Sequence, residues 1–281
     1  MILEDLFTDL ATFRRYAPYV ESNVDFKHLN SSAITARKQI AIILTNDVFA
    51  YVASKTNTEK EALLSAMANL TLAKQMVFDV ISQRKNDIDI YKHEQEQMRR
   101  AYIDNYFNAM DTLLQLLDGD SESGWSGTRY QKMVSSLKLK NAADFDAVYP
   151  IDLSYLFFFR TIPLQAEALD DYLKGYYDRA SEREDIAPML NRVLAKITVA
   201  IALRRFDIIE FPPTIRSLFD DSKAQRTGRD EQQRMLDLSD SLMNEAKSLL
   251  ADIDLMLSAE SGSIETETSF NRQDDKIILM A

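Results

Sequence analysis

The sequence predicts an all-α fold, a helical bundle built from two pseudo-repeats of about three to four helices each. Three observations carry that expectation. Only six Gly and six Pro occur in 281 residues, too few for a turn-rich β fold. The periodic segments are rich in Leu, Ala, Met, Lys, Glu and Gln, all good helix formers. And the stretch 62–81 has an echo in 189–209. At a shift of 127, Leu63, Met67, Leu70, Ala73 and Met76 fall on Leu190, Leu194, Ile197, Ala200 and Leu203. After a slip of one residue, Phe78-Asp79-Val80-Ile81 matches Phe206-Asp207-Ile208-Ile209.

Taken in order, Leu3, Leu6, Phe7, Leu10 and Phe13 share one helical face over 2–16, and Pro18 ends that helix. Residues 19–31 read as irregular. Ser31 or Ser32 caps a helix over 33–54 with Ile34, Ala41, Leu44, Val48 and Tyr51 inward. Thr58 and Glu61 have the spacing of a capping box, which satisfies orphan amides at the start of the first apolar helix. That helix and its echo are apolar nearly all round, as suits a helix buried between others. The two are expected to lie against each other. The third helix, about 91–118, carries the stripe Tyr102, Tyr106, Met110, Leu113 and Leu117, and at a shift of 136 the stripe reappears as Leu238, Leu242, Ala246, Leu249 and Ile253.

Gly119 stops the third helix, and GDSESGWSGTRY is the clearest break in the chain. Met133–Lys140 reads as a short helix or a strand, and Phe145–Tyr149 as extended. Asp152 is expected to cap the apolar helix LSYLFFFR, which ends before Pro163. A further helix over 164–180 places Ala168, Leu169, Tyr172, Leu173 and Tyr176 inward. Phe211-Pro212-Pro213 stops the second apolar helix, and the last helix runs over about 230–258. The division is 1–118 for the first repeat, 119–150 for a linker, 151–258 for the second repeat and 259–281 for a tail. That tail is polar and acidic until Lys276-Ile277-Ile278-Leu279-Met280.

Composition excludes several function classes. The absence of Cys removes disulfides, thiol nucleophiles and cysteine metal sites. A net charge of −11, with scattered Arg doublets, argues against direct nucleic-acid binding. The longest aliphatic run, Ile197–Leu203, is far too short for a bilayer, and the acidic, amphipathic N-terminus is no secretory signal. Two histidines, His28 and His93, do not supply the paired Glu-x-x-His motifs of a di-metal bundle. No Gly-x-Ser-x-Gly elbow and no phosphate loop occur. Neither an enzyme nor a cofactor is therefore expected. The partner-binding candidates are Trp125, lone in a Gly/Ser loop, and Ile277, Ile278, Leu279 and Met280. For Trp125 the favoured reading is a cover over the seam between the repeats, with partner binding second. An alternative places a small-molecule pocket between the repeats, lined by Tyr102, Tyr106, Arg204 and Arg205.

The stretches LEDLFTDLATFRRYAPYV, ITARKQIAIILTNDVFAYV and NRQDDKIILM together resemble an uncharacterised all-helical family of Bacteroidetes and their prophages, some of whose members lie among virion-assembly genes. The family has no catalytic signature, so the resemblance carries over no site residue. It implies a structural role, as a connector or adaptor in a phage-like particle, with a cytoplasmic or virion-associated location. The expectation is a non-enzymatic assembly protein that self-associates or binds another protein.

Overall fold

A computed structural model of the chain describes residues 2–17, 25–85, 92–219 and 228–261, and every regular element among them is helical. The first half begins with α1 (Ile2–Leu6) and α2 (Leu10–Tyr16). The single helix expected over 2–16 is broken because the Asp9 carboxylate accepts the Thr12 amide at 2.7 Å and starts α2 afresh. Helix α3 (Phe26–Leu44) starts earlier than expected, capped by Asp25 rather than by a serine. Ser32 is buried within it, and Ile34, expected inward, is 51% exposed. At Thr45 the backbone turns to φ 71°, and the Thr45 hydroxyl caps α4 (Asn46–Ser54). The helix expected over 33–54 is thus two helices meeting at a strained residue.

Two long helices follow, α5 (Thr58–Lys85) and α6 (Lys92–Asp118). Segment 119–150 is not a bare linker. It forms a 3-10 turn at Trp125–Gly127, α7 (Arg129–Val134) and α8 (Ala142–Val148), and it sends Trp125, Phe145 and, from the loop between α7 and α8, Leu137 and Leu139 into the core. The extended reading of Phe145–Tyr149 is corrected: Asn141 caps α8 by accepting the Asp144 amide at 2.7 Å.

Helix α9 (Tyr155–Asp171) is capped by Ser154, not Asp152, and runs through Pro163. Pro163 faces solvent; its ring forfeits the bond to the Phe159 carbonyl and crowds that carbonyl, but displaces no packed neighbour. The flanking Phe157, Phe158, Ile162 and Leu164 are all buried and hold the two halves of α9 in line. Asp152 instead turns outward at φ 56°, and its carboxylate accepts the Thr214 amide at 2.8 Å. A short α10 (Tyr176–Arg179) precedes α11 (Ala187–Arg205), and α12 (Pro213–Ser217) leads to α13 (Gly228–Ser261).

Helix α5 packs between α3 and α6, and α11 packs between α9 and α13. Both central helices are buried on nearly every side over their apolar lengths. They do not lie against each other, contrary to expectation: the halves meet chiefly where α6 packs on α9. The echo also fails after the slip. Residues 78–81 continue α5, whereas α11 ends at Arg205 and Ile208–Glu210 form a 3-10 turn capped by Asp207. One contiguous apolar core runs through both halves and the 119–150 segment.

Candidate functional site

The outer end of the α5–α6 hairpin carries exposed apolar side chains on a positioned frame. Along α5, Leu63, Met67 and Leu70 are buried on the face toward the body of the protein. Val77 stands two turns beyond Leu70 on the same stripe and is 50% exposed, and Phe78 beside it is 53% exposed. The core stripe therefore outruns the elements that cover it. Helix α6 reaches the same place. Asn105 Nδ2 donates to buried Asn69 Oδ1 at 3.2 Å and fixes the antiparallel register. Two turns outward from that pair, position 76 lies opposite Met98, which is 45% exposed. Exposed Arg99 follows it.

Hydrogen bonds to α3 hold this end of α5. Buried Ser32 donates to Gln75 Oε1 at 2.8 Å, and Gln75 Nε2 donates to the Asp79 carboxylate at 2.9 Å. His28 Nε2 lies 3.1 Å from the same amide nitrogen and 3.4 Å from Asp79. A buried hydroxyl–amide pair is costly to leave unmade, so it fixes both the rotation and the height of α5 against α3. His28, expected as a loop residue, is part of this frame.

The residues singled out in the sequence are dispersed. Trp125 is 2% exposed, 5.1 Å from Phe159 in an edge-to-face pair, where it covers the seam between α6 and α9. Gly124, at φ 71°, supplies the left-handed step that turns the indole inward. Tyr102 and Tyr106 are buried in α6, and burial pushes both phenols above their usual range. Arg204 donates through Nε to Ser239 Oγ at 2.8 Å and pairs with Asp240. Arg205 makes a two-pronged bond to Glu167, both arms at 2.6 Å, which holds that carboxyl below its usual range. The two arginines clip α11 to different neighbours, α13 and α9, and do not converge with the tyrosines on a ligand. Ile277, Ile278, Leu279, Met280 and the His93 side chain lie outside what is described.

A cleft of about 250 Å³ does open between the halves, lined by other residues. Arg100 and Asp104 of α6 form one wall; Ile209, Arg216, Phe219 and Glu231 face them. Arg216 pairs with Asp104 across it. Among the described residues no cluster of three or more His, Asp or Glu could hold a metal, and no helix is long and apolar enough to cross a membrane.

Reasoning from sequence missed the hairpin end. It assigned Phe78 to the core because the apolar stripe gives no sign of where its cover stops. Helix lengths could have given that sign: α5 and α6 have 28 and 27 residues, against 19 and 17 for α3 and α9. Helices that long overhang their neighbours by two turns or more. Comparison with protein-family models, with curated proteins and with solved structures returns no match for this chain.

Proposed function

We propose that this is a non-enzymatic structural or adaptor protein that works by protein–protein assembly. The observation that carries the reading is the α5–α6 hairpin end, where Val77, Phe78 and Met98 stand in solvent on a rigid frame. Scattered exposed apolar residues need no explanation, but a continued core stripe is the feature partners bury. The engagement of Arg204, Arg205 and Arg216 in bonds between helices supports the same reading, since these side chains have a structural task. The resemblance to the prophage-associated helical family points the same way, toward a connector or adaptor subunit in the cytoplasm or in a virion. The parallel arrangements α3–α5–α6 and α9–α11–α13 support a duplicated bundle.

Light scattering of the full chain against a chain ending at residue 259 tests this. A mass above the monomer that rises with concentration and falls on truncation is expected. A mass fixed at the monomer in both chains overturns self-assembly as the function.

The cleft at Arg100 and Arg216 favours a second reading, a small-molecule-binding module. It predicts a thermal-shift hit with an anionic metabolite that is lost in Arg216→Ala. A screen of metabolites and metals with no shift removes it.

A further inference from the structure

The hairpin end and the last turn of α13 lie far apart, and this decides how copies would join. Helix α13 runs antiparallel to α11: Arg204 meets Ser239, Lys196 pairs with Glu245, and Asp254 bonds to Tyr176 and Arg179. Near its start, Glu231 shares the cleft with Arg100, two residues from Met98. Ser261 is thirty residues further on, about 45 Å along the helix axis. The apolar run Ile277–Met280 begins sixteen residues beyond Ser261. For sixteen residues, random-coil statistics give a typical end-to-end distance of about 22 Å. Only near-full extension, about 54 Å, would let it reach its own hairpin end. Seating on a neighbouring copy needs no such stretching.

We infer that Ile277–Met280 of one copy docks on the Val77, Phe78 and Met98 surface of the next, joining copies head to tail. This rests on the assembly reading above and names its partner. The chemistry is complementary on both counts. Four consecutive apolar side chains meet three exposed apolar ones. The flanking charges also alternate suitably: Asp274-Asp275 then Lys276 precede the run, and exposed Arg99 and half-exposed Asp79 border the surface. A contact between two different surfaces is heterologous, so it propagates into rings or open filaments rather than stopping at a two-fold dimer.

Complementation tests it. One variant carries Phe78→Glu with Val77→Glu; the other ends at residue 269. Because both valine and phenylalanine are half in solvent, the charged variant should keep the wild-type helical circular dichroism and melting temperature, and both variants are checked for this. Wild type should form concentration-dependent oligomers in sedimentation velocity. Each variant alone should be monomeric. Their equimolar mixture should give a dimer and nothing larger, since one supplies only the surface and the other only the tail. A fluorescent peptide of residues 270–281 should bind the truncated chain and lose about tenfold or more in affinity on the same chain carrying Phe78→Glu. If wild type associates and both variants do so equally, the tip–tail contact is wrong while the assembly reading stands. If wild type is monomeric at every concentration, self-association falls with it. A peptide that binds while wild type stays monomeric assigns the tail to its own copy and overturns the head-to-tail arrangement.

Discussion

Asp111 lies in α6 where the two halves are joined. Its Oδ1 accepts the Leu156 amide at 2.7 Å and the Ser154 hydroxyl at 3.1 Å, so a carboxylate of the first half caps the leading helix of the second. Burial raises its pKa from 3.8 to about 6, with Asp152 adding to the rise. A carboxyl raised in the folded state favours folding most below its unfolded value and loses that contribution as pH climbs from about 4 through 6. Asp111→Asn keeps an acceptor oxygen and removes the charge. Urea denaturation should therefore show the variant gaining on wild type between pH 4 and pH 7, by up to about 3 kcal/mol. A constant difference across that range would show that the Asp111 carboxyl is not raised in the folded protein. The single tryptophan gives a second residue-scale measure. Trp125 is fully enclosed, and its indole N–H has no hydrogen-bond partner among the described residues. Its emission should be blue-shifted and poorly quenched by acrylamide until the protein unfolds. Trp125→Ala should cost about 3–5 kcal/mol in denaturant unfolding.

Helix boundaries followed local rules only where local groups decided them. The caps Asp9, Asp25, Asn141 and Ser154 were each available in the sequence, yet each competed with a neighbour that looked as good. Asp152 lost to Ser154 because its carboxylate is engaged with Thr214, 62 residues away. No local pattern contains that bond. Pro163 misled for the opposite reason: a local helix breaker was overruled by apolar residues on both sides that share one buried face. This makes α9 testable as an element. Pro163→Ala restores an amide for the Phe159 carbonyl at an exposed position, and should raise the midpoint of thermal unfolding, equivalent to about 1 kcal/mol or more. An unchanged or lower midpoint would mean that the restriction proline imposes on the unfolded chain outweighs the bond. The hairpin formed by α5 and α6 was legible as two helices, and its overhang was not. Where a stripe leaves cover depends on the lengths and tilts of other helices.

At the scale of the molecule, one core spans both halves and the segment between them. The 1–118 and 151–258 division therefore should not yield independent folding units. Expressed alone, 1–118 would expose the face of α6 that α9 covers and lose Trp125 from the seam. Its near-UV circular dichroism should be weak and its unfolding poorly cooperative, while the full chain unfolds in one transition. A sharp, native-like transition for 1–118 alone would show that the joint is dispensable. The sequence by itself determined the helical class, the two largely apolar helices and the elimination of cysteine chemistry, because composition and the 3.6-residue period act within a few turns of chain. Only the tertiary structure decided that the apolar helices are kept apart, that Trp125 is sealed in a seam and that Val77, Phe78 and Met98 are left uncovered. Those outcomes depend on which distant surfaces meet, and burial is a property of the pair of surfaces rather than of either stretch of sequence.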